Sequence, residues 1–321
     1  MNINNQVLQT TGSLTPTARK SFQTNQANIS DIIKRCIFYN STGINTKAGQ
    51  AYARLLILLF IISMVWVLFG TAHAVGATSN SVKWHPGHYY TIMSSGKNDP
   101  KYMEQVYSEL DNTPAIQGVQ IRYSWAELET SYGVYDFTSI DKRLAELAAR
   151  KKRLVILLQM KSFDPKIYPV SDYLKAVEYE GGVFSFSNNG GSTINGYNIK
   201  LWNPNLLLRM VKLFEALGNR YNSHPYFEGI GLTETAMGTP AKPITTAQTN
   251  NFYNNMLTVN QRMRDFFPNT MTFQFTNYPR PILESFIGNL SAMGAGLGGP
   301  DTFIEDPGLL YTGTPKGVYN Y

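Results

Sequence analysis

The chain has 321 residues, 43% of them hydrophobic and 16% charged, which is the composition of a globular protein and excludes a wholly disordered one. Its net charge of +6 sits at one end: residues 1–54 hold Arg19, Lys20, Lys34, Arg35, Lys47 and Arg54 against Asp31 alone, and the rest is close to neutral. No basic face remains to argue for nucleic acid. The single cysteine, Cys36, lies in the N-terminal segment, which excludes disulfides and thiolate metal sites from the globular part.

Residues 1–53 are rich in Asn, Gln, Ser and Thr and are read as a disordered, basic tail. Arg54 then abuts Leu55–Phe69, fifteen residues without a charge, followed by the small-x-small pattern of Ala72 and Ala74. A basic flank, an apolar run and a cleavage-like site point to export, so residues 54–74 are read as a signal peptide or a signal-anchor helix. The preceding tail is too long for an ordinary signal peptide, leaving either a later translation start or an uncleaved anchor. Only with Gly70 to Ala74 included does the run reach the roughly twenty residues that span a bilayer. The positive flank puts the tail inside and residues 75–321 outside, either exported (periplasmic or extracellular) or held at the membrane by one helix.

From residue 75 the pattern is regular. His88–Met93 reads as a first strand. Asp99 caps a helix with Pro100 at its first position, running to about Leu110. Ile116–Ser124 alternates as a second strand. Thr138 and Ser139 are expected to cap a helix whose Ile140, Leu144, Leu147 and Ala148 share a face. Leu154–Leu158 is a buried-strand run. Asn203 and Pro204 open a long amphipathic helix that Gly218 is expected to end. Gly229–Leu232 is a short apolar run flanked by glycine, again a buried strand. A helix over Thr246–Phe267, a strand over Met271–Thr276, a helix over Pro281–Asn289 and a sixth strand over Ala292–Leu297 complete the series.

Alternating strands and helices imply a parallel sheet with right-handed crossovers, either an α/β doubly wound sheet or a (β/α)8 TIM barrel. The chain has no G-x-G-x-x-G after its first strand and no Walker sequence, which counts against a nucleotide-binding sheet, and no G-x-S-x-G hydrolase elbow. His85, His88 and His224 lack spaced carboxylate partners, so they are read as structural, and neither metal nor cofactor is implied. Lys161–Leu201 is too long for an ordinary connection. It carries Tyr168, Tyr173, Tyr179, Phe184, Phe186 and Tyr197, and is either a substrate-facing insertion with a small hairpin or a loop packing its own aromatics.

The strand at Gly229 stops at Thr233-Glu234-Thr235. A carboxylate at the C-terminal end of a buried strand is either paired structurally or used, and in a barrel that end holds the site. Arg122 ends the second strand and either lines the same pocket or pairs with Glu127 or Glu129. Trp125 and Trp202 offer flat apolar faces for a ligand, or pack in the core.

Three passages together resemble the retaining β/α-barrel glycoside hydrolases, the clan of cellulases, mannanases and barrel β-galactosidases. They are GVQIRYSWAELETSYGVYDF (Gly118–Phe137), LWNPNLLLRMVKLFEALGNRYNSHP (Leu201–Pro225) and FEGIGLTETAMG (Phe227–Gly238). The similarity covers about residues 84–303. It implies a TIM barrel, no cofactor, a β-linked polysaccharide or oligosaccharide as partner, and hydrolysis by two carboxylates roughly 5–5.5 Å apart. It makes Glu234 the acid/base, and it assigns substrate contacts to Arg122, Trp125, Thr233, Trp202, Asn277 and Tyr278. Two departures stand out. Thr233 occupies the place where the family has Asn. Six strands are counted before Tyr321, so strands seven and eight, and with them the nucleophile, are expected to be lacking; Asp301, Glu305 and Asp306 precede its usual place. The alternative reading is a non-catalytic carbohydrate-binding or degenerate remnant on the same scaffold.

Overall fold

The computed structural model describes residues 81–93, 95–187, 190–300 and 305–321. The basic tail, the apolar run and its cleavage-like site lie outside these residues, as does Asp301. Among the described residues no helix is long and apolar enough to cross a membrane.

The described chain runs β1 (His88–Ile92), α1 (Pro100–Asn112), β2 (Ile116–Ser124), the one-turn α2 (Trp125–Leu128), β3 (Glu129–Ser131), β4 (Val134–Tyr135) and α3 (Thr138–Ala149). There follow β5 (Arg153–Gln159), β6 (Lys161–Ser162), β7 (Val183–Ser187), β8 (Gly196–Ile199), α4 (Pro204–Tyr221), β9 (Phe227–Leu232), β10 (Thr239–Pro240), α5 (Thr246–Phe266), β11 (Met271–Phe275), α6 (Arg280–Ala292) and β12 (Gly296–Gly298).

The main sheet is parallel with the order β1-β2-β5-β9-β11-β12. Spatial order therefore follows chain order. A doubly wound sheet reverses direction at a switch point; this one adds every strand to the same edge, as a barrel does, and forms a curled arc of six strands. Strand side chains alternate between its faces. Ile121, Tyr123, Leu154, Ile156, Leu158, Ile230 and Leu232 pack outward with the helices in one large core. Val155, Leu157 and Phe273 pack on the inner face with Tyr89, Met271 and Phe275. Gly231 leaves room for this layer, since a Cβ there would stand 2.6 Å from the Phe273 ring.

The helix starts have local causes. Asp99 accepts from the amides of Lys101 and Tyr102, and Asn203 from those of Asn205 and Leu206, each with Pro in the first turn. Thr245 and Gln248 form a reciprocal capping box. Three boundary expectations need correction. Thr138 is the first residue of α3 and not its cap; Asp136 Oδ1 accepts from its amide at 2.9 Å. Ala292 ends α6, and the sixth strand begins only at Gly296. Gly218 does not stop α4, which continues to Tyr221. A Cβ at Gly218 would meet Phe266 O at 2.7 Å, so the glycine permits close contact between α4 and α5.

The Lys161–Leu201 interval does contain a hairpin, β7–β8. With β6 and β10 it makes a four-stranded antiparallel sheet in the order β10-β7-β8-β6. Because β10 follows Glu234 by only a few residues, the insertion is paired directly with the segment leaving the central strand. Most of its aromatics pack on one another: Tyr168 stacks on Tyr197 at 4.3 Å, and Tyr173 meets Tyr179 edge-on at 5.9 Å.

Candidate active site

A recess of about 230 Å³ opens at the C-terminal ends of β2, β5, β9 and β11. Arg122, Gln159, Lys161, Thr233, Glu234 and Phe275 line it, with Phe163 and Pro300 at its side. Three expected residues, Arg122, Thr233 and Glu234, are thus brought together from β2 and β9.

Glu234 is held through both oxygens. Lys161 Nζ donates to Oε1 at 3.1 Å, and Asn277 Nδ2 donates to Oε2 at 3.0 Å. Its side chain keeps 14% of its surface exposed. Lys161 Nζ also donates to Ala236 O at 3.0 Å and lies 4.5 and 4.6 Å from the ring centroids of Phe163 and Phe186. Its charge is therefore matched by a carboxylate, a carbonyl and two aromatic faces, which offsets the loss of water.

Asn277 is buried and does not line the recess. Its Oδ1 accepts from Ala236 N at 3.1 Å and Tyr278 N at 2.8 Å, which aims its Nδ2 at Glu234. Behind this layer, Gln274 Nε2 donates to Thr233 O at 2.5 Å, and Asn260 Nδ2 of α5 donates to Gln274 Oε1 at 3.0 Å. A chain of amides thus runs from helix to the strand that carries Glu234, with Asn260 Oδ1 left buried and without a hydrogen-bond partner among the described residues.

The other expected sugar contacts lie elsewhere. Trp125 is wholly buried and donates from Nε1 to Glu129 Oε2 at 2.8 Å. Trp202 is buried against Phe184, with ring centroids 5.1 Å apart, and donates to Glu180 Oε2 at 3.2 Å. Both indoles find an apolar bed and a partner for N–H in the core, so neither presents a face to the recess. Tyr278 donates to Asp306 Oδ1 at 2.9 Å and ties the C-terminal segment down. Asp306 also accepts from the amides of Gly308 and Leu309, and Glu305 is exposed.

The two partners considered for Arg122 are taken. Glu127 pairs with Lys97 at 2.8 Å, and Glu129 pairs with Arg209 in a fully buried contact. Among the described residues no hydrogen bond or ion pair reaches Arg122, and its Nε is buried without a partner. Burial pulls its guanidinium below the ordinary value, and the charge of Glu234 opposes that pull. The Thr233 hydroxyl is likewise buried and unpartnered among the described residues.

Lys161 was legible only as the start of the insertion. Its pairing with Glu234 spans 73 residues of chain and depends on how β6 docks. His85 corrects another expectation, because it does have a carboxylate partner: Nδ1 lies 2.9 Å from Glu228 Oε2. Among the described residues no group of three or more His, Cys, Asp or Glu is arranged to hold a metal.

Chemically, the recess offers one carboxylate that can give or take a proton, a fixed cation beside it and a second cation, Arg122, that no hydrogen bond or ion pair reaches among the described residues. No family model matches the sequence, and no curated protein does. Among solved structures, endo-glycoceramidase II from Rhodococcus sp. in a cellobiose-like isofagomine complex shares 14% identity over 60% of this chain and 49% of that one, with a TM-score of 0.43. Its lactosyl-enzyme intermediate shares 12% identity over 73% and 75%, with a TM-score of 0.42. A GH10 endoxylanase from a sugarcane soil metagenome shares 11% over 65% and 54%, with a TM-score of 0.41. The chain spans about half the length of the first of these.

Proposed function

We propose that the protein is a glycoside hydrolase acting on β-linked polysaccharide or oligosaccharide, with Glu234 as the acid/base of a retaining two-carboxylate mechanism. The carrying observation is the setting of Glu234: at the C-terminal end of a central parallel strand, in a recess, with both oxygens held by side chains, one from β6 and one from the segment after β11. A general acid must stand at a fixed point beside the leaving oxygen, and the Lys161 and Asn277 contacts supply that fixity. Thr233, Arg122 and Gln159 form the wall facing the sugar, and Asn277 acts through Glu234. The mechanism needs a second carboxylate, and Glu234 is the only one lining the recess among the described residues. Residues 55–74 would carry the domain out of the cell or hold it at the membrane, with carbohydrate as its partner there.

The test is hydrolysis of an activated aryl β-glycoside by the purified full chain and its Glu234→Gln variant. Turnover by the wild type that the variant loses supports the assignment; a variant as active as the wild type removes Glu234 from it. The single carboxylate also favours a second reading, a carbohydrate-binding protein without turnover. Calorimetry against a glycan panel, showing binding with no hydrolysis by the wild type, would select it.

A further inference from the structure

A second cavity, of about 520 Å³, opens toward the N-terminal ends of the sheet strands, away from Glu234. Strands β2, β5 and β11 line both cavities, with Gln120, Val155 and Met271 here and Arg122, Gln159 and Phe275 there. The walls of the second are mainly apolar: Trp84, Val155, Met271, Phe273 and Leu297. Trp84 is 65% and Leu297 46% exposed, so large apolar surface faces water there. Among the described residues Arg264 is the one charged residue lining this cavity, and no carboxylate does.

Arg264 is held but not neutralised. It donates to Thr270 O at 2.7 Å, Pro268 O at 3.0 Å and Thr272 Oγ1 at 3.4 Å. These partners fix the guanidinium fork without cancelling its charge. The adjacent Asp265 pairs with Arg262 at 3.0 Å, and Glu228 pairs with His85 and Arg153. Lys83 Nζ donates to Thr270 Oγ1 at 2.8 Å, so a second cation meets Arg264 at the same threonine. A mostly apolar cavity of this size with one placed charge has the form of a small-molecule site, and the sign of that charge selects the ligand's head.

We propose that this cavity binds a small amphipathic carboxylate, its apolar body against Val155, Met271, Phe273 and Leu297 and its anionic head at Arg264. The site is separate from the recess at Glu234, and the proposal does not rest on the glycoside reading. A carboxylate meets the guanidinium fork with charge-assisted hydrogen bonds, a neutral head supplies only a dipole, and an ammonium head is repelled by Arg264 and Lys83.

The test is a fluorescence titration of the full chain with free decanoate, decanol and decylamine, each below the concentration at which it forms micelles. The chain has four tryptophans, so the signal read is the part of the change that Trp84→Phe loses. Decanoate is expected to saturate, to shift Trp84 emission to the blue, and to bind roughly tenfold tighter or more than decanol. Decylamine should bind more weakly than decanol. Arg264→Gln should bring decanoate to the level of decanol while decanol stays unchanged, and Arg264→Lys should keep part of the preference. Because Arg264 also holds backbone carbonyls, Leu297→Glu, at an exposed position, gives a second check: it should weaken decanoate and decanol together, decanoate more. Equal affinity for acid and alcohol, equal loss of both in Arg264→Gln, or no Trp84 signal with any probe would overturn the proposal. Dimerisation of the chain that Leu297→Glu abolishes, with no decanoate bound, would overturn it and give the surface to a second copy.

Discussion

Strand β9 carries a carboxylate at each end, and the two have opposite surroundings. Glu228, at the N-terminal end, is 1% exposed. It accepts from His85 N at 2.6 Å, faces His85 Nδ1 at 2.9 Å and pairs with Arg153 at 3.4 Å. Glu234, just past the C-terminal end, keeps part of its surface open to a recess, and each oxygen has one side-chain partner. Glu228 has its acceptor capacity consumed by the chain entering β1 and by β5, so it serves as a fastener. Glu234 is oriented but not saturated, with room for a substrate oxygen. Residue type and strand are shared. Leftover hydrogen-bonding capacity and access to solvent make the difference, and those come from the elements packed at each end.

The comparison breaks if the two glutamates respond alike. Glu234→Gln is expected to lower kcat/KM on an aryl β-glycoside by about 10²–10⁴, the usual worth of a positioned acid/base, with the thermal midpoint little changed. Glu228→Ala should do the reverse. It leaves Arg153 and His85 facing an empty buried site and should cost about 3 kcal/mol of stability in urea titration, with kcat nearly unchanged in the fraction still folded. A loss of activity without loss of stability in Glu228→Ala would show that the N-terminal end of the sheet is not merely a fastener.

Lys161 sharpens the same contrast from the partner side. Lys161→Met keeps the stem between Phe163 and Phe186 and removes the charge. It is expected to lower kcat about tenfold, because Glu234 loses one of the two side-chain contacts that hold it. An unchanged kcat with reduced stability would assign Lys161 to framework alone.

How much of this could be read from the residues follows the range of each interaction. The strands and helices were legible because their causes are local: Asp99 and Pro100, Asn203 and Pro204, and the run Gly229–Leu232 each carry the signal within a few residues. The parallel sheet followed from the alternation, which fitted a doubly wound sheet and a barrel alike, and the barrel came from the resemblance of three passages to the glycoside hydrolase clan. Gly218 was misjudged because its meaning lies in Phe266, on another helix. Trp125 and Trp202 were assigned to sugar because indole chemistry serves both fates; only the bonds to Glu129 and Glu180 decide between them. Glu234 was legible by its position at a strand end. The residues that hold it, Lys161 and Asn277, stand 73 and 43 positions away, and no short-range pattern announces them.

The smallest expected effect tests the fastening end by its pH dependence. Lys83 Nζ donates to Asn222 O at 2.6 Å and Thr270 Oγ1 at 2.8 Å, beside the Glu228 cluster. Burial lowers its ammonium from 10.5 to about 8, with Glu228 opposing the shift and Arg153 adding to it. Below about pH 8 the group is charged in both folded and unfolded chains, and its burial is a standing cost. Between about 8 and 10.5 the native protein has released the proton while the unfolded chain retains it. The unfolded state then binds more protons, so this group's contribution to stability rises with pH across that window and levels off above it. Solvent still reaches the ammonium, so the gain is expected to be roughly 1 kcal/mol. Tyrosines raised by burial, Tyr89 among them, pull stability the other way near the upper end. The measurement is therefore the difference between wild type and Lys83→Met in urea midpoint as pH rises through the window. A difference that moves in favour of the wild type assigns Lys83 a buried, charge-relieving role in the fastener. A flat difference would mean that its ammonium is as well solvated as in the unfolded chain, and that the N-terminal end of the sheet is more open than the Glu228 contacts imply.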